Sequence, residues 1–136
     1  MGTGYWGRNL VRNFDGLGVL EALCEKSPET AAPISEAFPE AQVLSDLSAV
    51  AADPSINAVA IATPAVTHGA LVRQFLEADK HVFVEKPLCL DPREASELGD
   101  LAKARSRTLM VGHLLLYHPA FRALQSLVET GKVGQL

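Results

Sequence analysis

The sequence predicts an α/β fold, a doubly wound parallel sheet (Rossmann fold) with helices on both faces. Three observations carry that expectation. Apolar strand-like runs alternate with amphipathic helical stretches along most of the 136 residues. The connections between them are short, so successive parallel strands call for right-handed crossovers. A glycine-rich turn stands directly ahead of the first helical stretch.

The elements follow in order. Leu10, Val11 and Phe14 recur at helical spacing until Asp15-Gly16 breaks the pattern, and a strand is expected over residues 19–25. Ser27-Pro28-Glu29 supplies a cap, a proline at the first helical position and an acidic first turn, while Pro33 is expected to shorten or kink that helix. Residues 42–45 form a short strand, after which Asp46 caps a brief helix through Ala51. The run from Ala58 to Thr63 is apolar on both faces and ends at Pro64, as a buried parallel strand does. Thr67 is expected to cap a helix ending near Ala78, followed by a strand over residues 81–84. Asp91-Pro92-Arg93-Glu94 has the spacing of a capping box and opens a helix to about Ala104. A strand over residues 108–111 and a helix from Pro119 to Thr130, closed by Gly131, complete the pattern.

Composition bounds the function. With 48% apolar residues the chain can bury one core. Twelve basic against sixteen acidic residues leave a net charge of −4, and no Lys or Arg cluster is dense enough to track a phosphate backbone, so nucleic acid is excluded as a partner. No stretch approaches the roughly 20 apolar residues of a membrane helix, and no signal-peptide pattern is present. The expectation is a cytoplasmic protein with no membrane contact. Cys24 and Cys89 show neither CxxC nor metal-ligand spacing and are expected as reduced core thiols, with no metal site.

Gly2-Thr3-Gly4-Tyr5-Trp6-Gly7 fits G-x-G-x-x-G. Its first glycine permits a tight turn, its second lets backbone approach a pyrophosphate, and its third lets helix and strand pack closely. By itself the motif serves several nucleotide ligands, S-adenosylmethionine among them. Glu25 stands 18 residues after Gly7, near the offset at which an acidic side chain accepts adenosine ribose hydroxyls. A carboxylate there repels a 2′-phosphate and favours NAD, while Lys26 beside it keeps NADP open. Glu85-Lys86-Pro87 lies past the end of one strand and Gly112-His113 past the end of another, at the rim where such sheets bind ligands. Lys86 can donate to a hydroxyl and favour the negative charge that develops on it as hydride leaves. His68 stands one turn into a helix, and His81 and His118 are expected to be structural.

Together these segments resemble the glucose-fructose oxidoreductase and myo-inositol dehydrogenase family (Gfo/Idh/MocA). The resemblance rests on the glycine motif, Ala62-Thr63-Pro64 with His68, the segment from Lys80 to Leu88 containing Glu85-Lys86-Pro87, and Gly112-His113 leading to Pro119-Ala120-Phe121. It implies an NAD(P)-dependent dehydrogenase acting on a secondary alcohol of a sugar, inositol or nucleotide-sugar. Lys86 matches the lysine that contacts substrate and nicotinamide ribose, and is the catalytic candidate. Glu85 and Pro87 match the residues that shape its loop, and Thr63, Pro64 and His68 the segment beside the cofactor, with His113 at the rim. Leu115-Leu116-Tyr117-His118-Pro119 replaces the family's common Arg-Phe and resembles the branch acting on UDP-linked amino sugars and their uronates.

Two departures from the family are expected. Its first strand is missing ahead of Gly2, and its C-terminal α/β substrate domain, which carries the usual catalytic histidine and the surface of a homo-oligomer, is absent. Residues 1–118 are then the dinucleotide-binding domain, and residues 119–136 a helix and linker. A sheet without its first strand leaves unpaired backbone groups, at about 1 to 3 kcal/mol each, so marginal stability is expected.

Overall fold

The computed structural model describes residues 1–134. Eleven regular elements alternate along it, with two 3₁₀ turns. They are α1 (Tyr5–Gly16), β1 (Ala22–Cys24), α2 (Pro28–Ala37), β2 (Gln42–Leu44), α3 (Leu47–Ala52), β3 (Ala58–Ile61), α4 (His68–Glu77), β4 (His81–Val84), α5 (Pro92–Ala104), β5 (Leu109–Val111) and α6 (Pro119–Glu129). The 3₁₀ turns, Ala65–Thr67 and Leu114–Tyr117, precede α4 and α6.

All strand pairs are parallel. β1 pairs with β2, while β3, β4 and β5 form a second ladder in that order. Ile61, Val84 and Val111 line up across the second ladder. Two residues bridge the ladders. The Met1 α-amino group donates to the Ala60 carbonyl at 2.6 Å, the Ala62 amide donates to the Met1 carbonyl at 2.9 Å, and the Gly2 amide donates to the Cys24 carbonyl at 3.3 Å. Burial pushes the pKa of that amine down, with Cys24 and Glu25 pulling it back up.

Packing follows this division. Ile61, Val72, Phe75, Leu76, Val84 and Leu98 are fully buried where α4 and α5 cover the three-stranded ladder. A smaller cluster of Val11, Leu23, Ile34 and Ala41 joins α1, β1 and α2. Between α1 and the strands lies a cleft of about 650 Å³, lined by Leu10, Phe14, Val19, Ala60, Phe83 and Met110 among others. The outer edge of β1 faces it, which explains why the strand expected over residues 19–25 is assigned only at Ala22–Cys24. Ladder hydrogen bonds from Gln42 to the Glu21 carbonyl and from Glu25 to the Leu44 carbonyl extend its paired edge by one residue at each end.

The caps mostly match expectation. Ser27, Asp46 and Asp91 accept from Thr30, Ser48 and Arg93 amides respectively. Three local expectations are corrected. α2 runs through Pro33 to Ala37, so the proline does not shorten it; Ile34 docks into the smaller core cluster and holds the following turn. Thr67 does not cap α4 with its side chain; its hydroxyl donates to the Pro64 carbonyl at 2.7 Å within the 3₁₀ turn that leads into the helix. Glu94 packs its carboxylate against Gly69 of α4, where any Cβ would collide with it, so it serves the α4–α5 contact. Cys24 is buried and Cys89 half-buried, both free thiols, and burial pushes both pKa values up. From residue 113 to 134 every described side chain is exposed, so α6 stands clear of the sheet. None of the described helices is long and apolar enough to cross a membrane.

Replacing Pro33 by Ala restores an amide donor to mid-helix and is expected to raise the denaturant midpoint, by on the order of 1 kcal/mol in stability; an unchanged midpoint would mean that α2 already accommodates the ring without cost. An extended apolar segment of about six residues joined ahead of Met1 is expected to enter the cleft and raise Tm by roughly 5 °C or more. A melting curve that does not move would show that the open strand edges gain nothing from pairing.

Candidate functional site

The carboxyl ends of β1, β3, β4 and β5 meet along one rim, with the glycine turn inserted between β1 and β3. Gly2 has a φ of +77° and lies so close to β3 that a Cβ would come 2.8 Å from the Ala62 carbonyl oxygen. A Cβ on Gly7 would collide with the Gly2 carbonyl. Gly4 differs, since a Cβ there would meet no atom within 4 Å. Gly2 and Gly7 therefore close the turn on itself, and Gly4 faces open space above the start of α1.

α1 begins at this turn with Gly4 as its N-cap and no side chain satisfying its first amides. No acidic residue occupies its first turn. Free N–H groups and the positive end of the helix dipole thus point outward beside Gly4, which is the chemistry of an anion site. Tyr5 and Trp6 flank it, 84% and 49% exposed, with their rings edge to face at 6.0 Å.

Thr3 turns the other way and is buried. Its amide and hydroxyl both donate to Glu25 Oε2, at 3.0 and 2.9 Å, while the Ser27 amide donates to Glu25 Oε1 at 3.2 Å. Burial alone pushes the Glu25 carboxyl up, but the hydrogen bonds from Thr3 and Ser27 outweigh it and hold the pKa below the ordinary carboxylate value. Glu25 is thus anionic at neutral pH at the end of β1.

Across the turn, Thr63 and Pro64 follow β3. His68 is 1% exposed, with Nε2 2.8 Å from the Thr63 carbonyl and Nδ1 2.6 Å from the Pro87 carbonyl. In either neutral tautomer one ring N–H donates to one of these carbonyls, and the imidazole is packed between the loop after β3 and the loop after β4. It faces the fold, and both of its ring nitrogens lie against backbone carbonyls. The Glu85 amide donates to the Ile61 carbonyl at 2.9 Å, and Glu85 is 9% exposed with its Oε1 unpartnered. Lys86 and Pro87 are exposed and joined by a cis peptide bond. The Gly112 amide donates to the Val84 carbonyl at 2.8 Å, and a Cβ on Gly112 would come 3.1 Å from Glu85 Oε2. His113 is exposed beyond it.

The sequence-predicted residues therefore lie at the ends of the strands, on the loops that follow them, in the glycine turn, or in the first turns of α1 and α4. The large apolar cleft beneath α1 touches only Gly2 and Gly7 of them and is a gap in the packing. Sequence reasoning missed three features here: the pairing of Thr3 with Glu25, the Ser27 amide as its second support, and Gly112 making room for Glu85. A hydroxyl side chain between the first two glycines was the available signal for the first. Among the described residues no cluster of three or more His, Cys, Asp or Glu could hold a metal ion. His81 and His118 are structural, accepting from the Thr108 and Ala120 amides.

Comparison with known proteins agrees with this geometry. The sequence model described as "Oxidoreductase family, NAD-binding Rossmann fold" matches residues 1–113. UDP-N-acetylglucosamine 3-dehydrogenase from Acidithiobacillus ferrooxidans is 30% identical over 130 residues, 92% of this chain and 39% of that protein. Its solved structure superposes with a TM-score of 0.83, covering 92% of this chain and 40% of the other. Inositol 2-dehydrogenase from Acidothermus cellulolyticus is 31% identical over 114 residues, 83% of this chain and 33% of its own. A 3-ketoreductase from Actinomadura kijaniata, solved with NADP and TDP-benzene, is 28% identical with a TM-score of 0.74, over 82% of this chain and 34% of its own. The chain spans about 40% or less of the length of these relatives. With its glycine turn, its rim and this match over residues 1–113, the chain belongs to the Gfo/Idh/MocA family of oxidoreductases and carries its NAD(P)-binding Rossmann fold.

Proposed function

We propose that this chain is the dinucleotide-binding part of an oxidoreductase that moves hydride between a nicotinamide coenzyme and a secondary alcohol of a sugar, inositol or nucleotide-sugar, with NAD preferred to NADP. Residues 1–118 form the coenzyme domain in this proposal, and residues 119–134 the helix that leads out of it. The observation that carries it is the contrast among the glycines. Gly2 and Gly7 leave no room for a Cβ, while Gly4 opens onto the unsatisfied amides of α1. That is a cradle for a pyrophosphate, and the residues present fit a dinucleotide.

When bound, the nicotinamide ring supplies the hydride acceptor or donor. The chain's own residues do the rest. Gly4 and the first amides of α1 bind the pyrophosphate anion, and anionic Glu25 accepts a hydroxyl of the adenosine ribose. Thr63, Pro64, Pro87 and His113 wall the rim, with His68 fixing the distance between two of the loops. Lys86, exposed on its loop and without a hydrogen-bond partner among the described residues, donates to a ribose or substrate hydroxyl and favours negative charge on that oxygen.

For the substrate, the segment Leu115-Leu116-Tyr117-His118-Pro119 and the similarity to UDP-N-acetylglucosamine 3-dehydrogenase support a UDP-linked amino sugar or its uronate.

The glycines give a paired test by thermal shift. Gly4→Ala is expected to leave Tm within about 0.5 kcal/mol of stability and to abolish the rise caused by NAD. Gly7→Ala is expected to lower Tm itself, since its Cβ strikes the Gly2 carbonyl. A ligand binding only the folded state at 100 times Kd adds about 2.7 kcal/mol, so the NAD effect is measurable. NAD raising the Tm of Gly4→Ala as it does that of the wild type would remove the cradle from the site. In a catalytically active protein containing this chain, Lys86→Ala is expected to lower kcat by about 10²- to 10⁴-fold with the NAD Kd unchanged; unimpaired turnover would take Lys86 out of the chemistry.

A further inference from the structure

The glycine turn holds one residue whose side chain takes no part in binding pyrophosphate. Thr3 is 2% exposed, and it spends both its amide and its hydroxyl on a single oxygen of Glu25. A carboxylate offers about four acceptor positions, two on each oxygen. Thr3 fills both on Oε2, and the Ser27 amide fills one on Oε1. Oε1, to which Thr3 does not donate, is the oxygen with room for a further donor. A ribose 2′-hydroxyl brings one donor and fits it; a 2′-phosphate brings only acceptor oxygens and negative charge.

We propose that Thr3 is the positioning residue that sets coenzyme choice, by fixing the Glu25 carboxylate against the glycine turn through Oε2 so that Oε1 faces the ribose. The proposal rests on Glu25 as the ribose-reading carboxylate. Thr3 acts only through Glu25. Without the hydroxyl, Oε2 keeps the amide bond alone and the carboxylate is free to turn toward Lys26, the exposed ammonium next to it in sequence. A Glu25–Lys26 pair both withdraws the ribose acceptor and offsets the charge that excludes a phosphate. Ser keeps the hydroxyl, whereas Val keeps the branched Cβ and the amide but cannot donate from its side chain.

The single tryptophan, Trp6, sits on the turn and reports binding by energy transfer to a reduced nicotinamide. The 136-residue chain is titrated with NADH and NADPH, from neutral pH down through the carboxylate range. The wild type is expected to bind NADH at least about tenfold more tightly than NADPH. Thr3→Val is expected to shrink that ratio by about tenfold, a loss equal to one charge-assisted hydrogen bond, and Thr3→Ser to restore it. The hydrogen bond from Thr3 lowers the Glu25 pKa, so NADH affinity in Thr3→Val is expected to decline at a higher pH than in the wild type. Restoration of the wild-type profile by Thr3→Ser separates loss of the hydroxyl from a loosened turn.

Thr3→Val retaining both the ratio and the pH profile, with Glu25→Gln losing the ratio, overturns the role of Thr3 and leaves Glu25 reading the ribose alone. Glu25→Gln retaining the ratio as well overturns the ribose assignment itself. A wild-type chain that binds neither coenzyme overturns both. If Thr3→Val unfolds below the assay temperature, Thr3→Ala is judged by the same criteria.

Discussion

The structure depends on the backbone of Met1 and Gly2 bonding to two strand ladders at once. Three hydrogen bonds, to Ala60, Ala62 and Cys24, are the backbone link between the β1–β2 pair and the β3–β4–β5 ladder. A side chain on the second of these residues is forbidden twice over. Its φ is +77°, and a Cβ would lie 2.8 Å from the Ala62 carbonyl oxygen. Because the joint is so close, α1 starts directly above the sheet rim, its free amides stand beside Gly4, and Thr3 is driven down onto Glu25. The anion site and the sheet junction are one piece of backbone.

The rim residues divide by burial, and the division assigns their work. Thr3, Gly7, His68 and Glu85 are buried. Each shapes backbone: Thr3 holds Glu25, Gly7 lets α1 close on Gly2, His68 lies between the carbonyls of two loops, and Glu85 packs against Gly112. Gly4, Tyr5, Trp6, Pro64, Lys86, Pro87 and His113 are exposed and are the groups available to a ligand in the proposed site. His68 shows why the distinction matters. A histidine near a site invites a chemical role, yet here the ring is buried between two carbonyl oxygens at 2.8 and 2.6 Å, with both nitrogens turned toward the fold.

Much of this was legible in the sequence, because its signals are local. Alternating periodicity, the Ser27, Asp46 and Asp91 caps and the position of β4 depend on a few neighbouring residues, and the structure has them as expected. The rim followed from a general property of parallel sheets, that loops after the strands gather at one edge. What escaped was decided by contacts distant in sequence. Pro33 is tolerated because Ile34 reaches residues of α1 and β1. Glu94 leaves its own helix terminus for Gly69, and Gly112 yields to Glu85, neither of which a local window contains. The strand at β1 shortens because one of its edges faces a cleft, a fact of the sheet and not of residues 19–25.

The two sides of the central joint are unequal. Toward β3 the bonds are 2.6 and 2.9 Å, whereas toward β1 the Gly2 amide reaches Cys24 at 3.3 Å, near the limit of a useful hydrogen bond. Apolar packing on that side is limited to the small cluster of Val11, Leu23, Ile34 and Ala41, beside which the cleft opens between α1 and the strands. Thr3 compensates with two charge-assisted bonds to Glu25, so the glycine turn is anchored to β1 mainly by a side chain and a carboxylate. It follows that Glu25, the proposed ribose carboxylate, also holds the turn to β1. A ribose hydroxyl bonded to that carboxylate would strengthen the weaker side of the joint, so the proposed coenzyme site and the stability of the turn share one side chain.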